Sequence, residues 1–107
     1  MSTFDKRGES LENRYAHDEE LRFKAMARRN KLLGLWAAEK LGKAGADADS
    51  YAGDVVSTDF EEAGDEDVFR KIRKDFDAAG VAQSDHQIRR TMDELLATAI
   101  EAIRTGA

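Results

Sequence analysis

Only glycine can interrupt a helix in this chain, because its 107 residues include no proline. Proline removes a backbone donor and clashes with the preceding turn, so its absence leaves long helices unbroken. Ala, Glu, Lys, Arg and Leu dominate, while aromatic and β-branched residues are sparse, which favours helix again. There is no cysteine, so neither a disulfide framework nor a thiolate metal site can form. A chain of this size makes one small domain that buries about 60–65% of its unfolded surface. No run approaches the roughly 20 apolar residues of a membrane span. The opening MSTFDKRGES lacks the apolar centre of a signal peptide. The expected class is a cytoplasmic, all-α protein: a small bundle of about four helices with a flexible or loosely helical N-terminal arm.

The apolar spacing divides the chain into an arm, residues 1–20, and a body, residues 21–107. The first helical pattern runs from about Phe4 into Lys40 and changes character near Leu21. In the arm, Phe4, Leu11 and Tyr15 share a narrow stripe at spacings of seven and four. Three anchors are too few for a core helix, and Gly8 weakens it by roughly 1 kcal/mol relative to alanine. From Phe23 the stripe broadens through Met26, Leu33, Ala37 and Leu41, with Leu32, Leu35 and Trp36 beside it. Trp36 reads as core, or as half-buried with its N–H at the rim. Gly34 removes a side chain where another backbone could approach, and Gly42 and Gly45 end the helix.

A second helix is expected from about Asp47 to Phe60, burying Tyr51, Val55, Val56 and Phe60. Asp65 should start a third, with Val68, Ile72, Phe76 and Ala79 on its apolar stripe and Gly80 as its stop. The fourth has the clearest start, since Ser84-Asp85-His86-Gln87 fits a capping box. Its apolar positions are Ile88, Met92, Leu95, Leu96, Ala99 and Ile103. The resulting core should contain Phe23, Leu33, Val55, Phe60, Ile72, Phe76, Leu95 and Leu96.

The net charge of −5 is unevenly spread. Residues 22–31 carry Arg22, Lys24, Arg28, Arg29 and Lys31 and no acid. Residues 44–69 carry nine acids and no base. Either these are two solvated faces that attract each other within one fold, or one of them steers an external partner. Arg28, Arg29 and Lys31 with Trp36 also suit a nucleic-acid patch. The overall acidity and the lack of a nucleic-acid-binding signature argue against that, and no nucleic-acid partner is expected.

Catalytic patterns are missing. His17 and His86 lie in different elements, and His86 sits in the capping box facing solvent. Gly42-Lys43 is not a phosphate loop, since Ala37 and Ala44 stand where glycine and Ser/Thr belong. The run from Asp47 to Thr58 approaches a calcium loop but has Ala52 and Thr58 where glycine and glutamate are required. No catalytic residue, metal or cofactor is expected, and the chain reads as a non-enzyme.

The run Ala16 to Ala38, AHDEELRFKAMARRNKLLGLWAA, resembles the zeta subunit family, the inhibitor of the F1-ATPase of alpha-proteobacteria. The opening Phe4-Asp5-x-Arg7 and the later DFEEAGDEDVFRKI, Asp59 to Ile72, are similar to the same family. This chain departs from the pattern at Gly8, where a glutamate is expected. The resemblance implies a mobile segment, here about Ser2 to Asp18, that folds into a helix at a catalytic interface between the enzyme's α and β subunits near γ. Wedged there, it stops rotation in the hydrolysis direction and is expelled when rotation runs toward synthesis. Phe4, Leu11 and Tyr15 would then be apolar anchors, and Asp5, Arg7, Glu12 and Arg14 polar contacts. The partners implied are the α, β and γ subunits. The chain itself is expected to be a monomer, cytoplasmic and peripheral to the inner face of the membrane when bound. The alternative is a non-catalytic helical scaffold or dimerisation module.

Overall fold

The computed structural model of the protein describes the backbone of residues 2–61 and 65–106, and the side chains of residues 20–58 and 65–106. Among these residues there are four helices and no strand: α1 (Ser2–Lys40), α2 (Ala46–Glu61), α3 (Asp65–Ala79) and α4 (Asp85–Arg104). Each boundary falls within a residue or two of the one expected from caps and glycines. No helix among the described residues is long and apolar enough to cross a membrane.

The helix ends follow from local chemistry. At the end of α1, Gly42 has a φ of 77°. The Lys43 N–H reaches the Ala38 carbonyl at 2.8 Å and the Gly42 N–H reaches Glu39 at 3.1 Å. This is a Schellman turn, which needs a left-handed residue and so favours glycine. Gly80 closes α3 in the same way, the Val81 N–H donating to the Phe76 carbonyl at 2.8 Å. Val81 also packs against the core, supplying the apolar contact that accompanies such turns. At the start of α4, Ser84 Oγ accepts from the Gln87 N–H at 3.1 Å, and Gln87 Oε1 accepts from the Ser84 N–H at 2.9 Å. The capping box read from the sequence is therefore formed, and His86 is exposed.

Helix α1 is the spine. It packs most extensively on α2 and then on α4, while α3 makes smaller contacts with α2 and α4. The core joins Leu33, Ala37 and Ala38 of α1, Tyr51 and Val55 of α2, Val68, Phe69, Ile72 and Phe76 of α3, and Ile88 and Met92 of α4. Trp36 is half-buried and meets Phe76 edge to face, the ring centroids 5.6 Å apart. That is a preferred geometry for two aromatic rings. Arg73 of α3 ties down the start of α4 by donating to the Gln83 carbonyl at 2.6 Å and to Asp85 at 3.0 Å.

Three expectations about the core need correction. Phe23 is 63% exposed and lies outside the core. Leu95 and Leu96 are half-buried rather than fully buried, with Leu95 packed against the core. Phe69, absent from the expected stripe, is buried with the guanidinium of Arg89 lying 3.8 Å over its ring. The Phe60 side chain lies outside the described residues.

Gly34 does what its position suggested. A Cβ built there would lie 2.6 Å from the Ala52 Cα and 3.3 Å from the Val55 Cβ. The Ala52 backbone is a rigid neighbour, so the two helices would have to separate. Gly34→Ala should therefore cost about 1–3 kcal/mol, the range for overpacking, despite alanine's better helix propensity. Urea unfolding followed by circular dichroism checks it; a variant as stable as the parent would mean the α1–α2 seam has room to spare.

Candidate functional site

The residues singled out for partner binding, Phe4, Asp5, Arg7, Leu11, Glu12, Arg14 and Tyr15, all belong to α1. Their side chains lie outside the described residues. What the structure does describe is the root from which this segment extends. Glu20, Arg22, Phe23 and Lys24 are exposed, and Leu21 is half-buried. Glu20 and Lys24 form an exposed i,i+4 ion pair at 3.3 Å. Ala25, at 1% exposure, is the first fully buried side chain described along α1. From there inward the helix belongs to the core.

The root is held by a buried cation. Arg29 is 1% exposed. Its Nη2 donates to Asp65 Oδ1 at 2.8 Å, at the first turn of α3, and its Nε donates to Asn30 Oδ1 at 2.8 Å. Asn30 is itself fully buried, and its Nδ2 has no hydrogen-bond partner among the described residues. A buried amide donor left unsatisfied costs about 1–3 kcal/mol. The cluster thus holds α1 to the start of α3 while carrying an internal penalty. Asp65 begins α3 and pairs across the fold, where the sequence had suggested only a cap.

This argues further against the nucleic-acid patch that the sequence analysis had disfavoured for Arg28, Arg29 and Lys31. Arg29 points into the protein, so the three cations do not share a surface. The signal was present in the sequence. Arg29 lies three residues after Met26 and four before Leu33, on the same core-facing stripe. A long apolar stem with a charged head can occupy such a position when an acid waits at the far end.

At the opposite end of the body an open cavity of about 440 Å³ is lined by Leu41, Lys43, Tyr51, Asp54, Lys71 and Asp75, among others. The Tyr51 hydroxyl donates to Asp75 Oδ2 at 2.7 Å, and Lys71 Nζ donates to the same oxygen at 3.1 Å. Lys71 also sits 5.0 Å from the centre of the Tyr51 ring. Burial first, and the bond to Asp75 second, push the Tyr51 phenol well above its ordinary pKa. It remains a protonated donor, and the network reads as a mutually satisfied clamp between α2 and α3. Among the described residues no group of three His, Cys, Asp or Glu side chains is placed to hold a metal ion.

A family model described as ATPase inhibitor subunit zeta matches residues 1–102. The chain is also similar to a protein whose solution NMR structure is known, at 46% identity and a TM-score of 0.71. That match covers 81% of this chain and 99% of the other. No curated protein matches the chain.

Asp65→Ala should leave Arg29 buried without its counter-charge. The expected loss is about 1.5–3 kcal/mol, the range for hydrogen bonds to charged groups, moderated by the 48% exposure of the Asp65 side chain. Asp49→Ala, which removes an acid from the first turn of α2, should cost less than about 1 kcal/mol. Equal losses in urea melts would reduce the Arg29–Asp65 pair to a helix-terminus effect.

Proposed function

The chain belongs to the family of ATPase inhibitor subunit zeta, and from that membership we propose that its first twenty residues inhibit ATP hydrolysis by the F1 motor by inserting as a helix. The insertion point is a catalytic interface between α and β, close to γ, where a wedged helix blocks rotation in the hydrolysis direction. The body stays outside and presents the helix. No bond is made or broken by the inhibitor, so its action is steric.

One observation carries this reading. Helix α1 runs from Ser2 to Lys40, yet full burial among its described side chains begins only at Ala25. The described stretch before it, Glu20 to Lys24, is exposed apart from the half-buried Leu21, which suits the root of a segment that reaches into a partner's cleft. At about 1.5 Å per residue, the segment before Leu21 is long enough to reach some 30 Å. The family match spans that segment as well as the body. An amphipathic helix lodging its apolar stripe in a groove is a recurrent mode of recognition. Phe4, Leu11 and Tyr15 supply the stripe; Asp5, Arg7, Glu12 and Arg14 face the polar walls. Bound in this way, the protein sits on the cytoplasmic side of the membrane that carries the enzyme.

Leu11→Ala with Tyr15→Ala removes two of the three anchors, each worth roughly 1.5–3 kcal/mol when buried. Steady-state hydrolysis by purified F1 should show most inhibition lost, with the thermal melt of the body unchanged. Gly8→Ala should tighten inhibition by up to about fivefold, since glycine costs a helix about 1 kcal/mol. Full inhibition by the double-alanine chain would move the inhibitory surface into the body.

A further inference from the structure

Leu11 lies eighteen positions before Arg29 on one helix, which runs from Ser2 to Lys40. Eighteen residues make about five turns, so the two positions share an azimuth round the axis. Phe4 and Tyr15 fall within about 40° of it. The positions of the arm's apolar stripe are therefore in register with the buried Arg29, on the side of α1 that meets the start of α3. Lys24 and Lys31 lie about 140–160° away round the axis and are exposed. Arg29 holds its place by directional contacts. Its Nε donates to Asn30 Oδ1, which orients the guanidinium, and its Nη2 donates across to Asp65 Oδ1, both at 2.8 Å. Apolar contacts are non-directional and let a helix turn slightly about its axis. A rigid guanidinium fork bonded to a carboxylate does not. Stability alone does not account for the cluster, since the buried Asn30 Nδ2 has no partner among the described residues. Fixing register is the best-attested use of a buried polar group.

We infer that Arg29 and Asp65 are positioning residues for inhibition: their pair fixes the rotation of α1 within the body, and the continuous helix carries that setting to the arm. The inference rests on the inhibitory reading above and gives the body a part in it. Neither residue touches the enzyme. Helices α2, α3 and α4 lie around one side of α1, so the body is bulky in one direction only. With the pair in place, the stripe enters the cleft with that bulk at a set angle to it. An arm turned about its axis could seat the same stripe only by swinging the body to a new side of the cleft's mouth. A body that is wide on one side cannot clear a rim from every direction.

The experiment uses the full-length chain and purified F1, with steady-state hydrolysis and the thermal melt of each variant as readouts. One, two or four alanines inserted between Glu19 and Glu20 turn the arm by about 100°, 200° and 40° relative to the body and lengthen it by about 1.5, 3 and 6 Å. The one- and two-alanine chains should inhibit roughly tenfold less tightly than the parent. The four-alanine chain, longer but nearly back in phase, should recover most of that loss. Asp65→Asn keeps the shape of the side chain, removes the counter-charge and should inhibit several-fold less tightly. Tyr51→Phe removes a hydrogen bond to Asp75 in the α2–α3 clamp, so it weakens the body without touching the pair, and it should inhibit like the parent. Inhibition that stays flat along the series or falls steadily with length overturns the inference. So does Asp65→Asn that inhibits no more weakly than Tyr51→Phe, or that fails to fold. The arm is tested separately by the Leu11→Ala, Tyr15→Ala chain. Full inhibition by that chain removes the arm reading and this inference with it; loss of inhibition there beside a flat insertion series keeps the arm and removes only the positioning role.

Discussion

The architecture depends on how closely α2 approaches α1 at Gly34. A side chain there would meet the Ala52 backbone at 2.6 Å, so the two helices are in backbone contact at that point. Such a close approach requires small residues on both sides, and Gly34 and Ala52 supply them. With α1 and α2 drawn together, Leu33, Ala37, Ala38, Tyr51 and Val55 form one apolar surface. Helix α3 presents Val68, Phe69, Ile72 and Phe76 to the same core. In an 11.9 kDa chain the core is small, and an added methyl at its seam is felt throughout.

The charge asymmetry resolves into two different uses of the basic segment. Arg29 turns inward and meets Asp65, an acid from the long acidic tract, so part of the opposition is spent within the fold. Arg22, Lys24 and Lys31 turn outward. Both outcomes come from helical register, because residues one or two positions apart on a helix face different surroundings. The inward cation is costly to bury and stands beside an amide donor with no partner. Replacing such a pair by apolar residues is often neutral or stabilising in other proteins. Its retention here is compatible with a role in setting the register of α1 against α3 rather than in adding stability.

Two Schellman turns, a capping box and the α3–α4 ties through Arg73 hold α2, α3 and α4 around one side of α1. Among the described side chains of α1, full burial begins at Ala25.

The sequence by itself determined the local structure. Four helices, their glycine stops, the capping box at Ser84 and the need for a small residue at Gly34 all depend on interactions within a few residues, and each was legible. The run from Ala16 to Ala38 also pointed to the family. What only the tertiary structure decided was which side of α1 faces what. Phe23, the most apolar-looking residue at the root, is exposed, and Arg29, read as a surface cation, is buried. Leu95 and Leu96 turned out to be half-buried, and Phe69 to lie beneath Arg89. The physical reason is that periodicity gives the angle of a residue round its own helix but not where the neighbouring helices end. At the root of α1 the apolar Phe23 is exposed, while the charged Arg29 a turn and a half further on is buried against Asp65.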